Sequence, residues 1–234
     1  MPENGVFIPD NFWMGIKTGY EGDIVFSRSM IAHTSQGYVE HQISGFNSYF
    51  NGGTLTIDFA NRLSVYGALG SYRLKLTQNL VSENSVHYSS DAHLAAILGA
   101  KVIAACWGET QLGFDVKGFL SYPNLQSILL NGESVAVNSA KCSDRQWQIG
   151  AALSQRVSWF VPYIGLTYTH ARLKIAGLSS LESLIPQEEV RFNNKYSFGF
   201  VFGFGLGPNR GFDINLETRL IEETAVGLNA DFRF

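Results

Sequence analysis

Cysteine, charge and long apolar runs are all scarce in this chain of 234 residues. Its two cysteines are too few for a disulfide framework. Charged residues make up 16 % of the sequence and the net charge is −3; soluble domains usually carry roughly 25 % charged residues. No basic stripe is present, which excludes the usual electrostatic footprint of a nucleic-acid partner. No Cys/His spacing of the zinc-binding kind occurs, and no metal or cofactor is expected. No apolar run approaches the ~18 residues of a membrane-crossing helix. The greasiest segment, residues 196–207, is short and full of glycine. The N-terminus lacks a basic region followed by an apolar core, so no secretory signal is visible, and an exported chain would be a mature form.

Glycine (24), phenylalanine (17) and a two-residue rhythm are plentiful. Near the end of the chain Phe212, Ile214, Leu216, Thr218 and Leu220 alternate with Asp213, Asn215, Glu217 and Arg219. Then Val226, Leu228, Ala230, Phe232 and Phe234 alternate with Gly227, Asn229, Asp231 and Arg233. A period of two is extended strand, with successive side chains on opposite faces. The same rhythm runs through residues 11–26, 92–102, 110–120, 146–156 and 196–206. Most runs last about ten residues, beyond the five or six typical of globular strands and suited to crossing a bilayer at a tilt.

The pattern predicts strands near 12–30, 53–60, 63–76, 91–104, 109–121, 146–156, 159–173, 195–206, 212–220 and 225–234. Short connections fall at Ala60–Arg62, Ala105–Gly108, Val157–Ser158 and Gly207–Gly211. Long polar ones fall at 33–52, 77–90, 122–145 and 174–194; the short 221–224 connection breaks the regularity. Short and long alternate, as in an up-and-down barrel with all tight turns at one end. The expectation is a single all-β domain over 1–234, with a short N-terminal extension over 1–10. It is a transmembrane antiparallel barrel of ten strands, or twelve if 33–52 and 122–145 each hold another.

A soluble lipocalin-like barrel alternates too, with its apolar face inward. Long strands and a dense aromatic face favour the membrane form, as does a chain that stops within a strand, because lipid demands that every backbone group be paired. Trp13, Tyr38, Trp107, Tyr122, Trp147, Trp159 and Phe160 suit interfacial girdles. Phe232 and Phe234 read as an outer-membrane assembly signal, with the barrel assembly machinery and outer-membrane lipid as partners.

Four stretches also resemble one family, the chlamydial major outer membrane porin. Residues 217–234 (ETRLIEETAVGLNADFRF) look like its closing segment, and 19–28 (GYEGDIVFSR) like its first strand. Residues 55–76 are similar to its next hairpin, and 147–173 to the hairpin with a Pro-Tyr-Ile-Gly core. The stretches occur in family order. The resemblance implies an outer-membrane porin that also stiffens the envelope, assembles as a trimer and meets periplasmic envelope proteins. Here the chain departs by being much shorter and by having two cysteines where the family is cysteine-rich.

On the barrel reading, Lys17, Glu21, Asp23, Asp58, Arg73, Lys75, Lys101, Glu109, Asp115, Lys117, Arg156, Asp213, Glu217, Arg219, Asp231 and Arg233 face the lumen. They would line a water-filled passage for ions and small hydrophilic solutes, or else pair across the lumen and plug it. Ten strands lie near the closed limit of barrel width. Cys106, in a short turn, and Cys142, in a long loop, fall at opposite membrane faces, too far apart for the ~7 Å that a disulfide tolerates. Cys106 is thus either a free thiol or an intermolecular cross-link at the periplasmic side. Asp91 and His93 share a face near the outer rim, where omptin-type proteases place Asp-His and Asp-Asp pairs as general bases. No Asp-x-Asp completes the set, so no enzyme is expected. His33, His41, His87 and His170 share no ligand spacing. Leu178, Leu181, Leu184 and Ile185 are at helical spacing, either a short helix on the barrel mouth or a surface loop. The expected role is passive diffusion with a structural envelope role. The alternative is a non-conducting structural barrel or adhesin, with an omptin-like protease a distant third.

Overall fold

A computed structural model describes residues 14–33, 43–60, 62–79, 84–135, 140–177, 189–209 and 211–233. The 1–10 extension, Trp13, Tyr38, His41, Phe234 and the helical-spaced leucines of the 177–194 loop lie outside the described residues.

The chain forms β1 (Met14–Arg28), β2 (Met30–His33), β3 (Ile43–Phe59), β4 (Leu63–Asn79) and β5 (Ser85–Ser90). There follow β6 (His93–Trp107), β7 (Thr110–Ser121), β8 (Leu125–Leu130), β9 (Glu133–Val135) and β10 (Lys141–Gln155). The last are β11 (Phe160–Ala176), β12 (Glu189–Asn194), β13 (Phe198–Asn209), β14 (Phe212–Leu220) and β15 (Glu223–Arg233). Ten of them close an antiparallel barrel in the order β1-β3-β4-β6-β7-β10-β11-β13-β14-β15, with β15 returning to β1. The wall therefore has ten strands and not twelve. Residues 43–52 prolong β3, while β8 and β9 form a hairpin that pairs with β5 above the rim. On the other side β12 pairs with β11 and β2.

The two-residue rhythm holds along each wall strand, but its chemistry changes with height. From the tight-turn end, the outer column of β11 reads Ile164, Leu166, Tyr168, His170, Arg172, Lys174. The outer column of β10 reads Leu153, Ala151, Ile149, Trp147, Arg145, Ser143, Lys141. Both pass from aliphatic through aromatic to cationic. The inner column of β11 runs the other way: Thr167 and Thr169 give way to Ala171, Leu173 and Ile175, the last three wholly buried. These two strands stay in unbroken register from Lys141↔Ala176 to Ser154↔Tyr163, so the faces have not slipped. The surroundings have changed. Below, an apolar exterior suits hydrocarbon; above, water surrounds the wall and the apolar side chains turn inward.

The lower exterior is an apolar belt. On β6 it runs from Leu94 (68 % exposed) through Leu98 (69 %) to Val102. Eight steps of ~3.3 Å, tilted about 40°, reach roughly 20 Å, approaching the ~25 Å apolar band of membrane barrels. Exposed aliphatics on this scale exceed what a soluble monomer presents. Aromatic rings edge the belt. Below, Phe160 lies 5.5 Å from Phe204 and Phe212 lies 4.8 Å from Phe232. Above, Tyr168 lies 5.4 Å from Trp147 and 5.0 Å from Phe198.

Candidate functional site: the barrel interior

The interior is built in tiers. At the tight-turn end Lys17 of β1 reaches across to Asp58 of β3 (3.2 Å) and Asp213 of β14 (3.7 Å). Arg233 of β15 also approaches Asp58, at 3.5 Å. Ser64 donates to the other Asp58 oxygen (2.7 Å), and Thr54 donates to Asp231 (3.0 Å). Salt bridges between wall strands at this depth neutralise charges that could not remain unpaired away from bulk water.

Above this tier lies a polar cavity of about 100 Å³, lined by Glu21, Lys101, Asp115, Lys117, Asn215 and Glu217 among others. Two tyrosines cross the wall beside it. Tyr66 stands directly opposite Gly99, and Tyr163 opposite Gly203. A β-carbon at Gly99 would fall 2.4 Å from the Tyr66 ring, and one at Gly203 would fall 2.7 Å from Tyr163. Glycine is what lets each ring lie along the wall. Tyr66 then donates to Asp115 (3.2 Å) and Tyr163 to Glu217 (3.1 Å), while the Lys101 ammonium sits 5.0 Å over the Tyr66 ring.

The third tier is an ion cluster around Arg219. Its guanidinium contacts Asp23 (2.6 Å), Glu217 (3.1 Å) and Glu223 (2.6 Å). Glu223 also accepts from Arg28, through Nε at 2.8 Å and through Nη2. Glu222 accepts from Thr167 (2.7 Å) and Gln148 (3.4 Å), and Asp144 accepts from Tyr72 and Gln146. Arg28 marks the upper boundary of the polar interior, lying 5.1 Å over the ring of Phe46.

From there outward the described interior is mainly apolar, its buried Gln78 and Ser90 accepting from the Tyr88 hydroxyl and the Leu74 amide. Phe46, Phe50, Tyr72, Leu74 and Leu76 are buried with Val86, Tyr88, Ile128, Leu173 and Phe192 in one cluster. Phe119 meets Phe50 edge-on at 6.2 Å and Tyr72 at 4.8 Å.

Most of the side chains expected in the lumen are there: Lys17, Glu21, Asp23, Asp58, Lys101, Asp115, Lys117, Asp213, Glu217, Arg219, Asp231 and Arg233. Arg156 is half-buried at the lower rim, its backbone amide donating to the Glu109 carbonyl. Three expectations are corrected. Arg73 and Lys75 are exposed on the outer face of β4, because at that height the opposed Leu74 and Leu76 take the inside. Glu109 is exposed in the Gly108–Glu109 turn, beyond the end of the wall. Phe232 faces outward and is 53 % exposed.

The interior also holds residues that the sequence pattern does not reveal. Arg28 shares the parity of the outward-facing residues, but a bulge between Val25 and Ser27 turns it inward. The sequence mark of that bulge is the adjacent pair Val25-Phe26 followed by Ser27-Arg28. Asp144 falls in a segment expected to be loop, whereas β10 already starts at Lys141. Cys142 likewise lies in that strand, buried opposite Ile175, while Cys106 is exposed opposite Gln111 at the other end of the barrel; both are free. Asp91 is exposed at the outer rim, and His93 stands opposite Tyr72. Among the described residues no group of three His, Cys, Asp or Glu is placed to hold a metal ion.

No family model matches the chain, and no curated protein does. Solved structures with a similar outline include the outer membrane protein OprG from Pseudomonas aeruginosa, at 10 % identity and TM-score 0.44, over 94 % of this chain and 95 % of that one. The outer membrane protease OmpT from Escherichia coli is 11 % identical with TM-score 0.45, over 100 % of both chains. An outer membrane channel from Pseudomonas putida F1 is 12 % identical with TM-score 0.46, over 100 % of this chain and 99 % of that one. Likenesses of this size concern the fold alone.

Proposed function

We propose that this chain is an outer-membrane β-barrel whose lumen is sealed at its outer end, serving as a structural barrel that carries a surface-exposed rim. The observation that carries the reading is the apolar cap of Phe46, Phe50, Tyr72, Leu74, Leu76 and Phe119 above the ion cluster of Arg28, Arg219 and Glu223. Hydrated ions would have to shed water to cross such a cap, at a cost of several kcal/mol per charge. The tiers below add salt bridges that tie β3, β1, β15 and β14 together along the inner wall. An outer-membrane location fits the exterior belt and its two aromatic edges. Phe232 and Phe234 would serve the assembly machinery, and Cys106 would be the thiol open to a periplasmic envelope protein.

A passive-diffusion porin is the second reading, favoured by the charged cavity of about 100 Å³ and by the resemblance to the chlamydial porin family, with a trimer as its assembly. Planar-bilayer recording separates the two. Verified insertion with no conductance steps is the expected outcome; stable, salt-proportional steps would replace the sealed barrel with the porin. The same proposal gives Asp91 and His93 no hydrolytic role, and cleavage of a fluorogenic peptide that D91A/H93A abolishes would overturn that part.

A further inference from the structure

One stretch of the outer wall carries more cations than the described residues neutralise. Arg145 of β10 and Arg172 of β11 stand directly opposite one another on the outer face, and both are exposed. Like charges in that relation repel. One register step higher, Lys174 is opposite Arg191 of β12, and Lys141 closes the column on β10. The carboxylate that the ion pairs bring to this patch is Glu189, 2.6 Å from both Lys174 and Arg191. Their hydrogen bonds hold its carboxyl below the usual carboxylate range. Glu189 thus occupies the upper pair, and among the described residues no carboxylate pairs with Arg145 or Arg172. Arg145 does donate to the Tyr122 hydroxyl (3.0 Å) and lies 5.7 Å from that ring, contacts that hold the guanidinium in place without cancelling its charge. Arg172 forms no ion pair among the described residues.

The height of the patch identifies its partner. Directly beneath Arg145 and Arg172 lie Trp147 and His170, also opposite one another, with ring centroids 5.8 Å apart. Tyr168 and Phe198 continue that aromatic edge, and Ile149, Leu166 and Phe200 begin the belt below it. Aromatic edges sit at the headgroup level of a bilayer, so the arginines project where phosphates lie. Two guanidinium forks from facing strands match the oxygens of a phosphate in a bidentate manner.

We propose that Arg145 and Arg172 form the core of a docking site for a membrane-embedded lipid with an anionic phosphate headgroup, its acyl chains lying on the belt beneath Trp147 and Tyr168. Lys174, Arg191 and Lys141 supply the surrounding positive field. The site rests on the membrane-barrel reading, but not on whether the lumen conducts.

Native mass spectrometry of the full chain in mild detergent tests it, with phosphatidic acid and phosphatidylcholine as paired probes. Wild type should retain phosphatidic acid about tenfold better than phosphatidylcholine, roughly the worth of one charge-assisted hydrogen bond. R145Q/R172Q should bring the two lipids to parity, whereas R73Q/K75Q, which removes outward cations elsewhere on the wall, should keep the preference. K174Q/R191Q should weaken it partially. Heat-modifiable gel mobility verifies that each variant is folded. Parity in wild type, or an undiminished preference in R145Q/R172Q, overturns the site. Loss of the preference on adding excess inorganic phosphate also overturns it, since the ligand would then be a free anion. Failure of wild type to retain either lipid would overturn the site together with the membrane-barrel reading.

Discussion

Ile221 holds a φ of 83° and is 61 % exposed, in the tight connection that brings Glu222 and Glu223 into the lumen. A β-branched residue there costs about 1–2 kcal/mol. Glycine at 221 removes that strain and adds a smaller entropic penalty, so I221G should stabilise the barrel by about 1 kcal/mol in urea unfolding from detergent. The cysteines offer a second residue-level contrast. Cys142 is 3 % exposed and burial pushes its thiol up, whereas Cys106 is exposed. A membrane-permeant maleimide should label the folded protein at Cys106 alone and reach Cys142 after denaturation. Labelling of Cys142 in the folded state would contradict the upper packing. Neither contrast is visible residue by residue in the sequence, because both depend on where β10 and the 221–222 turn fall.

At the level of elements, β4 shows how one strand serves two solvents. Leu69 points outward, 63 % exposed, and Leu74 points inward, wholly buried, in a strand of unchanged parity. L74A should cost about 2–5 kcal/mol through the cavity it leaves, while L69A should change stability in detergent little, as read from unfolding midpoints. Equal effects would mean that the two leucines share one environment. The ten wall strands were legible from alternation because alternation is a backbone property. The facing of Arg73 and Lys75 was not. Assigning the apolar residues of a strand to lipid along its whole length places Leu74 and Leu76 outside, and only the height at which the hydrocarbon ends reverses that assignment. Arg28 was hidden by a different cause, the bulge that shifts parity after Val25.

For the whole molecule, the sealed-barrel proposal makes the apolar cap above the ion tiers the element that governs passage. If it seals a lumen otherwise lined by charge, trimming it should open the barrel. The triple variant F46A/F50A/F119A should give small conductance steps in planar bilayers where wild type gives none, the ion-paired tier of Lys17, Asp58 and Arg233 remaining in the path. A silent triple variant that is inserted and folded would shift the block to that lower tier.

Alternating side chains and the placing of tight turns determined by themselves that this chain would close an antiparallel barrel, since strand periodicity and backbone pairing are local demands; strand length and the dense aromatic face added that its apolar side looks outward. The tertiary structure decided which side chains meet across the lumen, where the wall leaves the apolar zone and exchanges its faces, and how two arginines from neighbouring strands come to face each other. Those outcomes depend on register and height around a closed ring, quantities that a linear pattern does not carry.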